Sequence, residues 1–217
     1  SHAYYLGGST VGAMIITVIT WLCGFLRMST TGLSAQAFGQ QNDQSNCLIL
    51  LRGIIVAFTV GLVVILLQGV YLDIALSLAG GSEQVQFYAR EYSEVRVWGL
   101  PAALANLVIM GWLLGNHQAK AVMWLVITTN LINLGLDLLF VIGFEWQVKG
   151  VALATLISEY SGLIIGLIFV FKNFQHKFIG LFTNTQQLFE AVLERSALLS
   201  YFKLNRDILI RTLCLEV

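Results

Sequence analysis

The sequence predicts an all-α integral membrane protein with about five complete transmembrane helices and the start of another. Of its 217 residues, 57% are hydrophobic and 11% are charged, and the mean hydropathy is +0.79. Soluble domains carry about a quarter charged residues. Several apolar runs reach about 20 residues, the length that crosses a hydrocarbon core. A soluble protein built from such bare helices would have almost no polar surface, which excludes that alternative.

The apolar runs define the predicted spans, which in chain order are 8–26, 53–72, 97–115, 121–144 and 151–171. We expect the first to continue past Arg27, because the stretch MSTTGLSAQAFG is small and apolar and has no proline to end a helix. A further run begins near Leu204, and the sequence ends at Val217 before that run could cross a membrane.

The segments between spans differ in character. Residues 73–96 mix charged and apolar positions, which predicts an external loop whose second half is an amphipathic lead into the third span. Residues 172–203 are polar, basic and partly amphipathic, which is typical of a connector that lies against a membrane surface.

Orientation follows from the distribution of Lys and Arg, because cytoplasmic loops are richer in both. The segment after the fifth span carries four of these residues, and the loops on the same side add Arg52 and Lys120. The opposite side has Arg90, Arg96 and Lys149. We therefore expect residues 172–203 to be cytoplasmic and residue 1 to lie on the extracellular or periplasmic side. With no initiator Met and no signal-peptide pattern there, we interpret the sequence as a fragment.

Several function classes lack support. The formal net charge is zero, so no basic surface indicates a nucleic-acid partner. The cysteines Cys23, Cys47 and Cys214 are scattered, without a C-x-x-C motif or histidines at ligand spacing, so neither a metal site nor a disulfide framework is predicted. No phosphate-binding loop or nucleophile elbow is present, and no nucleophile and base share one depth. We predict a protein that is not an enzyme and needs no cofactor.

The candidate site lies in the fourth and fifth spans. Asn130, Asn133 and Asp137 are spaced i, i+3 and i+7, so they share one stripe of a helix. The short link EWQVKG predicts an antiparallel hairpin of these two spans. The hairpin puts Asp137 at the depth of three polar residues of the fifth span: Thr155, Ser158 and Glu159.

A carboxylate in hydrocarbon costs about 2.5–3.5 kcal/mol on insertion scales, so Asp137 should face a cavity or a partner. Such a group can exchange a proton for another ion or hold a cation directly. The structural alternative is a hydrogen bond to a neighbouring helix. The asparagines on the same stripe and Thr155 opposite favour a coordination shell. Glu159 either joins this cavity or faces water, and Asn106, a turn after Pro101, is a further candidate for the same interior.

Five stretches together resemble the multidrug and toxic compound extrusion transporters, in the branch of the DNA-damage-inducible protein F type. They are FLRMSTTGLSAQAFGQQN, GGSEQVQFYAREY, LPAALANLVIMGWLLGNHQAKA, the hairpin NLINLGLDLLFVIG with VKGVALATLISEY, and LNRDILIRTL. The hairpin and the LNRDI stretch are the most specific of these, and the resemblance covers essentially the whole chain.

This resemblance implies one lobe of a two-lobe, twelve-helix antiporter driven by protons or sodium. On that plan, residues 1–171 are the N-terminal transmembrane lobe without its first helix, 172–203 the inter-lobe connector, and 204–217 the start of the second lobe. The cation site of the family is similar in pattern to Asn133, Asp137 and Thr155. Its other acidic member sits on the first helix, which we expect to be absent here together with the second lobe.

The resulting hypothesis is a secondary active exporter of small organic compounds, cationic or amphipathic, in the inner membrane of a bacterium, coupled to H⁺ or Na⁺. Its partners would be membrane lipid, substrate and the missing second lobe. One alternative is a flippase for lipids or lipid-linked sugars, which needs a more cationic cavity, whereas Arg27 is the lone cation expected inside a complete span. The other alternative is an inactive truncated product, or a half-transporter that acts only with a partner.

Overall fold

The computed structural model describes residues 2–182 and 185–215, and the elements in these ranges are helical. Ten α-helices are described, with a 3₁₀ turn at Val97–Gly99 before α6 and a π-helical turn at Leu138–Gly143 after α7. The α-helices are α1 His2–Leu22, α2 Phe25–Gly39, α3 Asp43–Leu66, α4 Gln68–Ala79, α5 Glu83–Arg96, α6 Leu100–Gly115, α7 Ala119–Asp137, α8 Gln147–Phe182, α9 Thr185–Val192 and α10 Arg195–Leu215.

Within the described residues, five helical stretches are long and apolar enough to cross a membrane. They are Ala3–Gly39, Asp43–Leu66, Glu83–Gly115, Ala119–Gly143 and Gln147–Gly180. This result confirms the five spans expected from the sequence. It also confirms that the first span continues past Arg27, with a turn at residues 23–24 between α1 and α2.

The expected loop over 73–96 is largely helical: its first residues complete α4, and its second half is α5, the amphipathic lead into the third span that the sequence predicts. The helical stretch that contains this span begins at Glu83 rather than at Val97. The hydroxyl of Ser82 accepts a hydrogen bond from the backbone N–H of Val85, which caps the start of α5. Pro101 is compatible with this continuity because it falls in the first turn of α6, where a proline needs no intrahelical donor.

The fifth span is also longer than expected, because α8 continues to Phe182. Its extension has buried apolar partners: Phe174 packs edge-on against Trp112 with ring centroids 5.0 Å apart, and Phe178 is 1% exposed. Buried aromatic contacts stabilise a helix beyond the point where composition alone predicts its end.

The chain folds into two units, which we call the first unit (1–21, 59–103 and 126–163) and the second unit (22–58, 104–125 and 164–217). In the first unit, the buried side chains of Ile16, Ile65, Val97 and Leu100 form one apolar cluster. A second cluster contains Tyr92, Val148 and Ala152.

Two glycines of α1 allow this helix to approach α5 closely. A Cβ atom at Gly12 would lie 2.7 Å from Cδ1 of Tyr92, and one at Gly8 would collide with Tyr88. Small residues at helix contacts are the usual means of close packing inside membranes.

The second unit has a buried, uncharged hydrogen-bond network at its centre. The hydroxyl of Ser34 donates to Oδ1 of Asn46 at 2.9 Å, and Nδ2 of Asn46 donates to Oδ1 of Asn116 at 2.6 Å. The indole N–H of Trp112 donates to the backbone oxygen of Asn46 at 2.8 Å. All four residues are at most 2% exposed, so the network ties α2, α3 and α6 together without a charge.

Residues 185–215 pack against the helices of the second unit. Arg52 of α3 donates to the backbone oxygens of Ala191 and Val192 at the end of α9, where a cation is favourable. In α10, the hydroxyl of Tyr201 lies 3.2 Å from that of Thr30, and both residues are buried.

Large apolar side chains cover the surface of α7 and the π turn. Trp124, Leu131 and Ile142 are 62%, 63% and 69% exposed, respectively. An apolar surface of this extent is unusual for a protein in water and is expected where lipid is the solvent.

Candidate cation site and family membership

The fourth and fifth spans bring Asn133 and Thr155 together, as the hairpin predicts. The amide of Asn133 lies 3.1 Å from Oγ1 of Thr155, and both residues belong to the first unit. The turn between the spans is tight because the backbones of Glu145 and Gln147 adopt positive φ angles of 55° and 47°. Aromatic rings cover it, with Trp146 stacked on Phe140 at 5.3 Å.

Asp137 lies one turn along α7 from Asn133 and next to its amide. With the nitrogen of the amide turned towards Asp137, it donates to Oδ2 at 3.3 Å, and the amide oxygen accepts from Oγ1 and N of Thr155 at 3.1 and 3.2 Å. In the opposite orientation, the amide donates to Thr155 and presents its oxygen to Asp137. The first orientation satisfies both ends of the amide, because its nitrogen then faces an acceptor and its oxygen faces donors.

The other carboxylate oxygen is available for a ligand. Oδ1 of Asp137 is buried and has no hydrogen-bond partner among the described residues. Such an atom is rare in a folded protein and marks a place where a bound ion or water is expected. Carboxylate, amide and hydroxyl oxygens are the donors that hard cations prefer, and Asp137, Asn133 and Thr155 supply one of each kind.

Asp137 is also the last residue before the π turn at Leu138–Gly143. The backbone N–H of Phe144 donates to the oxygen of Leu139, five residues back, at 3.0 Å. Single π turns inside α-helices are rare and frequently occur at functional sites, because they change the register of the side chains that follow.

The remaining predicted site residues are placed differently. The hydroxyl of Ser158 is buried and donates to the backbone oxygen of Thr155 at 2.7 Å, so its hydrogen bond stays within its own helix. Asn130 is exposed, although it lies on the stripe of Asn133. Asn106 belongs to the second unit, whereas Asp137 belongs to the first.

Glu159 is bound by a cation that was not predicted from the sequence to lie inside a span. Its two carboxylate oxygens accept hydrogen bonds from Nη1 and Nη2 of Arg96, the first at 2.7 Å. Arg96 is 7% exposed, whereas Arg27, the expected intramembrane cation, is exposed. From the sequence we expected Glu159 either to join the Asp137 cavity or to face water. Neither expectation included an ion pair with Arg96.

Arg96 was missed because it directly precedes an apolar run and reads as the last charge of a loop. One signal could have found it. Glu159 is an acidic residue inside a span and needs a partner, and Arg96 is the cation closest in sequence to the start of the third predicted span.

A groove of about 480 Å³ opens in the first unit beside Tyr92. Hydroxyl-bearing residues Ser9, Thr10 and Thr17 line it together with apolar Met14 and Val18. The hydroxyl of Thr10 donates to the backbone oxygen of Leu6, so the groove presents a mixture of apolar and weakly polar surface.

Comparison with known proteins identifies the family. A family model described as MatE matches residues 2–139. The chain belongs to the MatE family, the multidrug and toxic compound extrusion transporters.

Among the described residues, no group of three or more His, Cys, Asp or Glu is arranged to hold a metal ion.

Curated relatives agree with this assignment. The chain is 41% identical over 216 residues to DNA damage-inducible protein F of Escherichia coli strain K12, which covers 98% of this chain and 45% of that protein. It is 28% identical over 123 residues to Protein DETOXIFICATION 43 of Arabidopsis thaliana, covering 54% of this chain and 23% of that protein. The chain thus spans less than half the length of these MatE relatives.

Solved transporters share the fold. One is a transporter of the MOP superfamily from Pyrococcus furiosus, with a TM-score of 0.69 and 19% identity over 91% of this chain and 45% of that chain. Another is a multidrug resistance MATE transporter in an inward-facing conformation, with a TM-score of 0.69 and 21% identity over 78% of this chain and 40% of that one. These likenesses support a multi-pass membrane protein of the MATE fold.

Proposed function

We propose that the protein to which this MatE chain belongs is a secondary active antiporter that exports organic, cationic or amphipathic compounds in exchange for H⁺ or Na⁺. The observation that supports it is the arrangement of Asn133, Asp137 and Thr155, in which one carboxylate oxygen is left for a cation. A carboxylate inside a membrane that alternates between a proton and a cation, or between occupied and empty states, can couple an ion gradient to movement.

In the proposed mechanism, the ionised Asp137 binds the cation through Oδ1, and Asn133 and Thr155 supply neutral oxygens. Exchange of the cation for a proton removes the charge of Asp137 and with it the attraction that holds the cation. Occupancy of the site biases the equilibrium between outward-facing and inward-facing states, because the ion binds them with different affinity.

Efflux from proteoliposomes tests this function in the full-length protein. Ethidium release is measured with an imposed Na⁺ gradient and, separately, with an imposed pH gradient. We expect at least one gradient to accelerate release, and Asp137→Asn to reduce the accelerated part by about tenfold or more. Gradient-driven release that Asp137→Asn leaves at the wild-type rate would rule out the proposed coupling role.

Asp73→Asn is the matched control. Asp73 is in the same unit and carries the same charge, but it is exposed and paired with Arg90. An effect of both substitutions would point to general loss of folding, whereas an effect of Asp137→Asn alone supports a local role.

Two alternatives remain to be separated by experiment. A flippase requires a cation for the phosphate of its lipid, but the buried Arg96 is already bound to both oxygens of Glu159. Translocation of a fluorescent lipid headgroup by the purified protein would support the flippase. The mass of the native product in source membranes, detected with an antibody to residues 172–203, distinguishes a complete two-lobe exporter from a chain near 24.0 kDa that acts with a partner or not at all.

We also propose an inner-membrane location, with residue 1 on the periplasmic side and residues 172–203 in the cytoplasm. The excess of Lys and Arg after the fifth span supports this orientation. Accessibility of a cysteine at the exposed position 196 (Ser196→Cys), in a protein that also carries Cys214→Ser, to a membrane-impermeant thiol reagent tests it. Labelling only after the membrane is opened agrees with a cytoplasmic position, and labelling of intact cells would contradict it.

A further inference from the structure

The first unit contains a buried ion pair with a fixed geometry, formed by Arg96 at the end of α5 and Glu159 on α8. The guanidinium donates to both carboxylate oxygens, and the side chains are 9% and 16% exposed. Two parallel hydrogen bonds from a planar guanidinium restrict both sliding and rotation of the two helices, which a single bond does not.

The backbone around this pair leaves the space that it needs. A Cβ atom at Gly99 would lie 2.5 Å from Oε2 of Glu159 and 2.9 Å from Nη1 of Arg96. A neighbouring bond joins the same segments, since the hydroxyl of Tyr160 donates to the backbone oxygen of Trp98 at 2.8 Å. Glu159 and Tyr160, two successive residues of α8, therefore both form hydrogen bonds with residues 96–98.

On α8, this ion pair lies one helical turn from Thr155 of the candidate cation site. Glu159 follows Thr155 by four residues, so the two share a face. On α5, Arg96 follows Tyr92 by four residues, so these two also share a face. Tyr92 also lines the groove of the first unit.

We propose that Arg96 and Glu159 form a positioning pair that sets the cation affinity of the Asn133, Asp137 and Thr155 site. The pair fixes the rotation of the Thr155 turn of α8 relative to α5, and so the direction in which Oγ1 of Thr155 faces the site. This inference rests on the proposed function. Neither residue touches the ion, so the pair acts on affinity for the ion rather than on recognition of the exported compound.

A positioning role is separable from a purely structural one. Removing one member of a buried pair leaves an uncompensated charge and destabilises the fold, whereas replacing both by apolar residues of similar volume is often tolerated. The double variant Arg96→Met with Glu159→Leu therefore retains folding but loses the planar two-bond contact. Arg96→Lys retains the charge and also loses the two-bond geometry.

The test is ethidium efflux by the full-length protein in proteoliposomes, with Na⁺ and pH varied in separate series. For each variant we measure the half-saturating concentration of the driving cation, the KM for ethidium, and the thermal unfolding midpoint. The matched control is Arg90→Lys, the same substitution on α5 in an exposed pair with Asp73. We expect Arg90→Lys to match the wild type in all three quantities.

For Arg96→Lys and for the double variant, we expect the half-saturating cation concentration to rise about tenfold, which is the usual effect of losing a group that orients a ligand. The KM for ethidium should stay within about twofold, as expected for a residue that acts through another. If either variant unfolds close to the wild-type temperature and keeps the wild-type cation dependence, the pair is structural and the inference is overturned. If the wild type itself shows no cation-driven efflux, the proposed function fails, and this inference fails with it.

Discussion

Oγ1 of Thr155 lies 3.1 Å from the side-chain amide of Asn133, although the two residues are 22 positions apart and on different spans. The contact joins α8 to the residue that also faces Asp137. A change in the charge of Asp137 can therefore affect α8 through one intervening residue, Asn133.

Replacing Thr155 by Val should weaken this connection. Valine has nearly the same shape but no hydroxyl, so Asn133 loses a hydrogen-bond partner. Under the proposed function, the cation also loses an oxygen. We expect Thr155→Val to raise the half-saturating concentration of the driving cation by about tenfold in efflux assays of the full-length protein. Thr155→Ser, which keeps the hydroxyl, should stay near the wild type.

Ser161→Ala is the control for this substitution, because its hydroxyl donates to the backbone oxygen of Ile157 in its own helix. Equal cation dependence in Thr155→Val and the wild type would show that the hydroxyl has no part in ion binding.

Adding a methyl group at Gly99 should destabilise the first unit. A Cβ atom there would overlap with the ion pair of Arg96 and Glu159, whose side chains are only 9% and 16% exposed and hydrogen-bonded to each other. We expect Gly99→Ala to reduce the free energy of unfolding in detergent by about 1–3 kcal/mol, the usual effect of overpacking. Gly135→Ala is matched, since a Cβ at Gly135 meets no atom within 4 Å. A loss of stability in Gly135→Ala as large as in Gly99→Ala would contradict the steric explanation.

Truncating Asn46 should destabilise the second unit through its polar network. Asn46→Ala leaves the Ser34 hydroxyl and the Asn116 amide with fewer partners in a buried place. These buried polar groups without hydrogen-bond partners should lower the free energy of unfolding by about 1–3 kcal/mol, measured by denaturant titration in detergent. Asn173→Ala provides the comparison, because that exposed amide donates to a carbonyl of its own helix. Similar losses for the two variants would argue against an energetic role for the network.

Tyr201 should make the second unit sensitive to high pH. Burial raises the pKa of its phenol, and the hydrogen bond with Thr30 partly opposes that rise. The unfolded phenol has a pKa of about 10. Its contribution to stability is therefore complete below about pH 10 and is lost as pH rises through the higher folded pKa, because the unfolded state releases its proton first.

The measurement is the unfolding midpoint in detergent across alkaline pH. Wild-type protein should lose stability in this range more steeply than Tyr201→Phe, which has no phenol to ionise. Tyr201→Phe should start slightly lower at neutral pH, because it loses the contact with Thr30. Parallel curves for the two proteins would show that Tyr201 does not titrate as its burial predicts.

Much of the site could be predicted from spacing alone. Asn133 and Asp137 share a helical face, and a short link forces the fourth and fifth spans to run antiparallel, so their meeting with Thr155 needs only local geometry. Arg96 could not be placed in the same way. It directly precedes an apolar run, and its partner Glu159 lies 63 residues away, so only tertiary packing shows that the two charges neutralise each other.

The sequence by itself determined that five helical stretches of the described residues are long and apolar enough to cross a membrane, because hydrophobic length is a property of each segment and needs no partner. It also determined the family, through stretches that extend along the chain. Tertiary structure decided which polar groups are satisfied. It gave Glu159 a guanidinium, left Asn130 exposed, and kept one oxygen of Asp137 without a partner among the described residues. The physical reason is that the energy of a buried charge depends on the groups that pack around it, and distant parts of the chain supply those groups.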